Sequence, residues 1–188
     1  MSTSSLAQEQ HWLWLAQHQR DAQAFGQLVA LHQGRVRAVL RRLTRGQQAL
    51  VDELAQETFI KAWRALPTFR HGAQWSTWLH RIAYLEFLQH QRRRTDEHNR
   101  NAWPEHEATT TEHPDHDLRL DLEKALAQLH PVEHAAIVYC YHGGMSHAEA
   151  AQVLDLPLGA VKSHVLRGRA KLQTLLAAWK PADTQESS

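Results

Sequence analysis

A single cysteine, Cys140, occurs in 188 residues, which excludes an internal disulfide framework and fits a reducing compartment. It lies in the apolar run Ile137–Tyr141, so it reads as a buried structural thiol rather than a nucleophile. No apolar stretch approaches the roughly 20 residues that a membrane helix requires, and no signal pattern opens the chain, so a cytoplasmic protein is expected. Sustained strand-like alternation is missing, and the 8 glycines and 6 prolines fall at punctuation points. The expected fold class is all-α. No glycine loop that could cradle a phosphate and no nucleophile–base constellation is visible, so no catalytic residue and no cofactor is expected. There are 15 histidines, but His98, His106, His113 and His116 lack cysteine partners and an HExxH arrangement, so no metal site is expected.

The formal net charge is only +1, which does not advertise a nucleic-acid binder. Its distribution does. Arg35, Arg37, Arg41, Arg42 and Arg45 cluster, Arg92–Arg94 form a run, and Lys162–Lys171 is basic, while acids concentrate elsewhere. With 43% hydrophobic residues the chain can build one domain or two small ones. Composition favours two periodic blocks, at 21–94 and 118–180, after an N-terminal segment at 1–20. Between them, residues 95–117 carry seven acids, two prolines and three consecutive threonines, the make-up of an extended acidic linker anchored only by Trp103. Residues 181–188 read as a disordered tail.

In the first block, Phe25, Leu28, Val29, Val36, Val39, Leu40 and Leu43 predict two helical segments interrupted near Gly34. Val51, Ala55, Phe59, Ala62 and Leu66 recur at helical spacing, with Asp52, Glu53, Gln56, Glu57 and Lys61 outward and Pro67 closing the helix. A loop with a glycine follows, then aromatics interleaved with cations, as a single-strand surface requires, since bases stack on rings while cations follow phosphates. Trp78, Leu79 and Ile82 are expected to be partly structural, leaving Trp75, His71, Arg70 and Arg81 for contact.

The second block holds SHAEAAQVLDLPLGAVKSHVLRGRAKL, residues 146–172. Ser146 and Glu149 form a capping box that starts a helix, with Ala148, Ala151 and Leu154 expected inward. Asp155–Leu156 form a turn before Pro157, which suits the first turn of the next helix. Leu158, Val161, Val165, Gly168 and Leu172 then predict a buried stripe, with Gly168 permitting close approach. That arrangement forces Lys162, Ser163, Leu166 and Arg167 outward, with His164, Arg169 and Lys171 flanking. A helix-turn-helix places such residues in the major groove, where Arg or Lys donates to guanine and an apolar side chain meets a thymine methyl.

Together these segments resemble the extracytoplasmic-function sigma factors of bacterial RNA polymerase. Val51–Trp63 is similar to the pattern EDLVQETFLRAWR of region 2.2, Trp75–Ala83 to region 2.3, and Gly159–Arg169 to region 4.2. The resemblance implies sigma domain 2 at 21–94 and sigma domain 4 at 118–180. Asp52, Glu53, Gln56, Glu57 and Lys61 would dock on core RNA polymerase. Arg70, His71, Trp75, Ser76, Thr77, Trp78 and Arg81 would hold the non-template strand of the −10 element with a base extracted. Lys162, Ser163, His164, Leu166 and Arg167 would read the −35 element, and the linker would thread the RNA-exit path. An anti-sigma factor is a further implied partner, with no membrane insertion by this chain. Tyr84 and Leu85 stand where the family commonly has an arginine and an asparagine, Ala160 where threonine is usual, and His164 where arginine is frequent. An apolar residue cannot reproduce an amide's paired contacts, so the resemblance does not carry the −10 preference. The alternative, a polymerase-independent regulator, would need neither the region-2.2-like helix nor the arginine–tryptophan loop.

Overall fold

The computed structural model describes the backbone of residues 3–70, 74–100 and 122–177, and side chains from residue 6 to 96 and 122 to 177 apart from 71–73. Every regular element among them is helical. The acidic stretch 101–117 and the tail 181–188 lie outside the described residues.

Helix α1 (Thr3–Gln19) occupies the N-terminal segment to which composition assigned no element. It buries Leu13 and Ala16, and its Gln17 amide donates to the Phe69 carbonyl at 2.7 Å. Asp21 caps α2 (Ala22–Leu43) by accepting from the Gln23 and Ala24 amides. α2 runs unbroken through Gly34, where the sequence predicted an interruption. Leu28, His32, Val36, Val39, Leu40 and Leu43 keep one buried stripe on both sides of the glycine. That packing offsets the ~1 kcal/mol cost of glycine inside a helix.

Helix α3 (Gln48–Ala65) buries Leu50, Val51, Leu54, Ala55, Thr58 and Ala62, and a 3-10 turn at Leu66–Thr68 around Pro67 ends it. The Lys61 ammonium reaches back to the buried Glu86 carboxylate of α4 at 2.6 Å. α4 (Trp75–Arg100) continues beyond Thr95, where composition predicted the linker to begin. Polar side chains on an exposed helix end are compatible with helical backbone, so composition alone misplaces that boundary.

The second half comprises α5 (described over 122–127), α6 (Pro131–Ile137), α7 (His147–Leu154) and α8 (Leu158–Leu175). His130 and Glu133 form a capping box at the start of α6. Its last turn widens into a π turn at Val138–His142, closed by the Gly143 amide donating to the Val138 carbonyl at 2.8 Å. A Cβ on Gly143 would come within 2.7 Å of the Tyr139 carbonyl oxygen, so this exit from the turn requires glycine.

One apolar cluster runs through both halves. Its keystone is Tyr139, fully buried, with ring edges facing His80 and Tyr84 at centroid distances of 5.8 and 5.9 Å. The Tyr139 hydroxyl donates to the His80 carbonyl at 3.3 Å. Beside it, Arg81 of α4 donates to the Gln152 carbonyl of α7 at 2.8 Å. The thiol of Cys140 is half-buried rather than buried, and burial pushes its pKa up, in keeping with an unreactive structural thiol.

Candidate nucleic-acid interface

The helix-turn-helix is built by local chemistry. Ser146 Oγ accepts from the Glu149 amide at 3.2 Å while the Glu149 carboxylate accepts from the Ser146 amide at 2.8 Å. α7 ends at Asp155, which adopts the left-handed conformation (φ 57°, ψ 46°) that aspartate tolerates better than most residues. The chain then turns through Leu156 and Pro157 into α8. The inner face of α7 differs from the predicted one. Ala150, Val153 and Leu154 are buried, Ala151 is half-buried and Ala148 is exposed. The packing stripe lies one residue around from the expected positions, and only Leu154 belongs fully to both.

On α8, Val161, Val165 and Gly168 are buried and Leu172 is half-buried, while Leu158 is exposed. A Cβ on Gly168 would meet Ile137 Cγ1 at 3.1 Å and Glu133 Cβ at 3.5 Å, so glycine sets the spacing of α6 and α8. The opposite face presents Lys162, Ser163, Leu166 and Arg167 to solvent, with Leu166 70% exposed. His164 is half-buried, and one of its ring nitrogens lies 3.0 Å from the Arg167 guanidinium.

Sequence reasoning missed the support behind this face. Glu133, almost wholly buried, pairs with Lys171 at 2.7 Å and Arg167 at 3.4 Å. Lys171 foremost, then the His130 amide and Arg167, holds its carboxyl below the ordinary glutamate range. A glutamate three residues after a helix cap looks like capping alone. The second role arises only when α8 folds back over α6.

The residues expected at the single-strand surface divide. Arg70 is exposed, and His71 lies outside the described residues. Trp75 and Thr77 are buried, 5% and 3% exposed, which corrects the expectation that they face nucleic acid. Trp75 packs edge-on against Phe69 at 5.5 Å and beside Trp78 at 5.0 Å. Ser76 and Trp78 are half-buried. The Arg81 guanidinium is held by Gln152 and Asp155. Tyr84 is buried against Tyr139 and Phe87, whereas Leu85 is exposed. The departure from the family pattern at Tyr84 therefore serves packing in this structure.

On α3, Asp52, Glu53, Gln56 and Glu57 all stand in solvent on one face. Asp52 is engaged by Arg37 and by the Gln48 amide at 3.0 Å, and its pKa is lowered, first by Gln48 and then by Arg37 and Arg41. Lys61, expected to share this face, is instead drawn to Glu86 and Gln89. Next to the acidic face is a groove of about 720 Å³ lined by Phe25, Val29, Phe59 and Trp63. Among the described residues, no helix is long and apolar enough to cross a membrane, and no cluster suits a metal ion.

Residues 28–97 match the Sigma-70 region 2 family and residues 119–172 the Sigma-70 region 4 family. The chain is 36% identical over 167 residues to RNA polymerase sigma factor NccH of Alcaligenes xylosoxydans xylosoxydans, covering 84% of this chain and 89% of that one. It is 37% identical over 162 residues to ECF RNA polymerase sigma factor SigE of Mycolicibacterium smegmatis, covering 82% of this chain and 62% of SigE. Among solved structures, it is similar to RpoE in complex with the anti-sigma factor NepR from Bartonella quintana, with a TM-score of 0.71 and 29% identity over 83% of this chain and 98% of that one. It is equally similar to CnrH in complex with the cytosolic domain of CnrY, with a TM-score of 0.71 and 28% identity over 92% and 99% of the two chains. The chain belongs to the extracytoplasmic-function sigma factors, transcription initiation factors that direct RNA polymerase to promoters.

Proposed function

We propose that the two faces divide the work of initiation by residue as follows. Lys162, Ser163, Leu166 and Arg167 read the −35 duplex, with His164 against the phosphates or orienting Arg167. The observation that carries this assignment is that all four protrude from one side of α8 while Val161, Val165 and Gly168 bury the other. An arginine fork on guanine and a leucine on a thymine methyl are the contacts such a face makes. Arg70, His71 and the half-buried Ser76 and Trp78 receive the −10 strand, supported by Trp75 and Thr77 from below. Arg81 joins them only once it leaves Asp155.

The exposed Glu53, Gln56 and Glu57, with Asp52 at the edge, dock on core polymerase, and the Phe25–Trp63 groove beside them takes an apolar side chain of the same partner. The chain acts by binding rather than catalysis, in the cytoplasm. An anti-sigma factor regulates it, a reading supported by the complexes in which its structural relatives were solved.

Reversing Glu53 and Glu57 to lysine is expected to abolish co-purification with core polymerase while leaving helicity unchanged. Retained co-purification would move the docking face elsewhere. Run-off transcription from a promoter library with core enzyme then identifies the two elements read.

A further inference from the structure

Two cavities meet where the end of α2 faces α5 and α6. One, of about 610 Å³, is walled by Arg41, Arg42, Arg45, His134 and His142. The other, of about 1310 Å³, is walled largely by apolar side chains, including Ile137, Leu172 and Leu176, together with Tyr141. Arg42, Leu122, Leu126 and His142 line both, so the two form one cleft with a cationic end and an apolar, aromatic end.

Among the described residues, cations outnumber acids at the cationic end. Glu123 is the single acid on its wall against three arginines. None of Arg41, Arg42 and Arg45 makes an ion pair among the described residues. The C-terminal end of α2 favours cations and accounts for Arg41 and Arg42 in part. It does not account for His134 on the same wall. That imidazole is 7% exposed, and its Nε2 has no hydrogen-bonding partner. A buried polar atom left unpaired is costly unless water or a ligand satisfies it. At the other end, Tyr141 is 62% exposed beside an apolar wall.

We propose that this cleft binds a free nucleoside polyphosphate, with its phosphates on Arg41, Arg42 and Arg45 and its base against Tyr141. Guanidinium forks match phosphate oxygens in geometry and charge, and an aromatic face accepts any base by stacking. The cleft is formed by α2 from the first half and by α5, the α6 end and the C-terminal part of α8 from the second. A ligand in it bridges the two halves and, by binding the packed arrangement alone, favours it. The site uses none of the residues assigned to the α3 face or to the reading face of α8, so it stands or falls separately from those assignments.

Isothermal titration of the full chain tests this with adenosine triphosphate, guanosine triphosphate, tripolyphosphate, adenosine and a single-stranded oligonucleotide. The triphosphates are expected to bind, tripolyphosphate more weakly and adenosine not at all. Replacing Arg42 and Arg45 together by alanine is expected to weaken nucleotide binding by about tenfold or more, the loss of two charge-assisted contacts. Tyr141→Ala is expected to weaken the nucleotide and leave tripolyphosphate unchanged. Both sites are exposed, and an unaltered melting curve without ligand checks that the variants fold. Absence of binding, indifference to the arginine pair, tripolyphosphate binding as tightly as the nucleotides, or an oligonucleotide binding there more tightly than the free nucleotides would each overturn the proposal.

Discussion

Arg81 and Asp155 form an ion pair at 3.1 Å across the seam between the two halves of the molecule. Arg81 comes from the helix expected to hold a single strand, Asp155 from the turn of the helix-turn-helix. While they are paired, the Arg81 guanidinium is engaged by the second half of the molecule. Asp155 is exposed and the Arg81 side chain is 39% accessible, so the pair contributes no more than about 1 kcal/mol. Asp155→Asn keeps a residue that tolerates the left-handed turn and removes the charge. It is expected to loosen the seam by up to about fivefold and to raise affinity for a single-stranded −10 oligonucleotide by a similar factor. Fluorescence transfer between labels on the two halves and anisotropy of the oligonucleotide measure these. An unchanged distance distribution would reduce the pair to a surface ornament.

Arg167→Ala is expected to cost about 1–3 kcal/mol in discrimination at one −35 position and to relax preference there alone. Glu133→Gln should have a smaller effect at that same position, because Arg167 stays in place but loses a charged support. Selection on randomised −35 duplexes reads both. An Arg167 variant with intact base preference would place its side chain on phosphate instead.

Stability should fall in mild acid. Burial foremost holds His80 and His134 down to about 4 from an ordinary 6.5, with His32 and Arg35 adding to the effect on His80 and Arg45 on His134. Between those values the unfolded chain binds protons that the folded chain refuses. Stability is therefore complete above pH 6.5 and declines as pH drops toward 4. The loss is at most about 3.5 kcal/mol per histidine. Urea unfolding across that range checks it, and His80→Gln should flatten the slope only in part, since His134 and His32, also held low by burial, carry the rest. A pH-independent midpoint would mean that both imidazoles protonate without opening the core.

Gly168→Leu is expected to destabilise the second half by about 1–3 kcal/mol. A larger side chain meets Ile137 and Glu133 at once and pushes α8 off α6. Thermal melting measures the loss. Retention of full −35 affinity in the folded variant would show that the reading face tolerates the displacement.

The helix-turn-helix was legible because its signals are local. Ser146 and Glu149 cap within one turn, Asp155 and Pro157 punctuate, and Val161, Val165 and Gly168 repeat at helical spacing. The same logic failed for Gly34, where tertiary burial of Val36 and Leu40 outweighed a weak propensity. It also failed for α7, where short alanine-rich periodicity fits two faces and packing against α4 selects one. Trp75 was misread because aromatic residues next to cations suit both a floor and a surface, and only the positions of Phe69 and Trp78 separate them. The arginine cluster was visible in the sequence, but the roles of Glu133 and Tyr139 and the cleft that the arginines join depend on residues far apart in the chain.

The π turn at Val138–His142 accommodates one residue more than an α-helical turn would. Deleting a residue there would restore ordinary pitch and swing everything downstream by about 100° around the axis of α6. Tyr139 would leave its socket between His80 and Tyr84, and the reading face of α8 would point in another compass direction relative to α4. That single surplus residue thus acts as an angular setting, fixing how two promoter-reading modules are aimed with respect to each other.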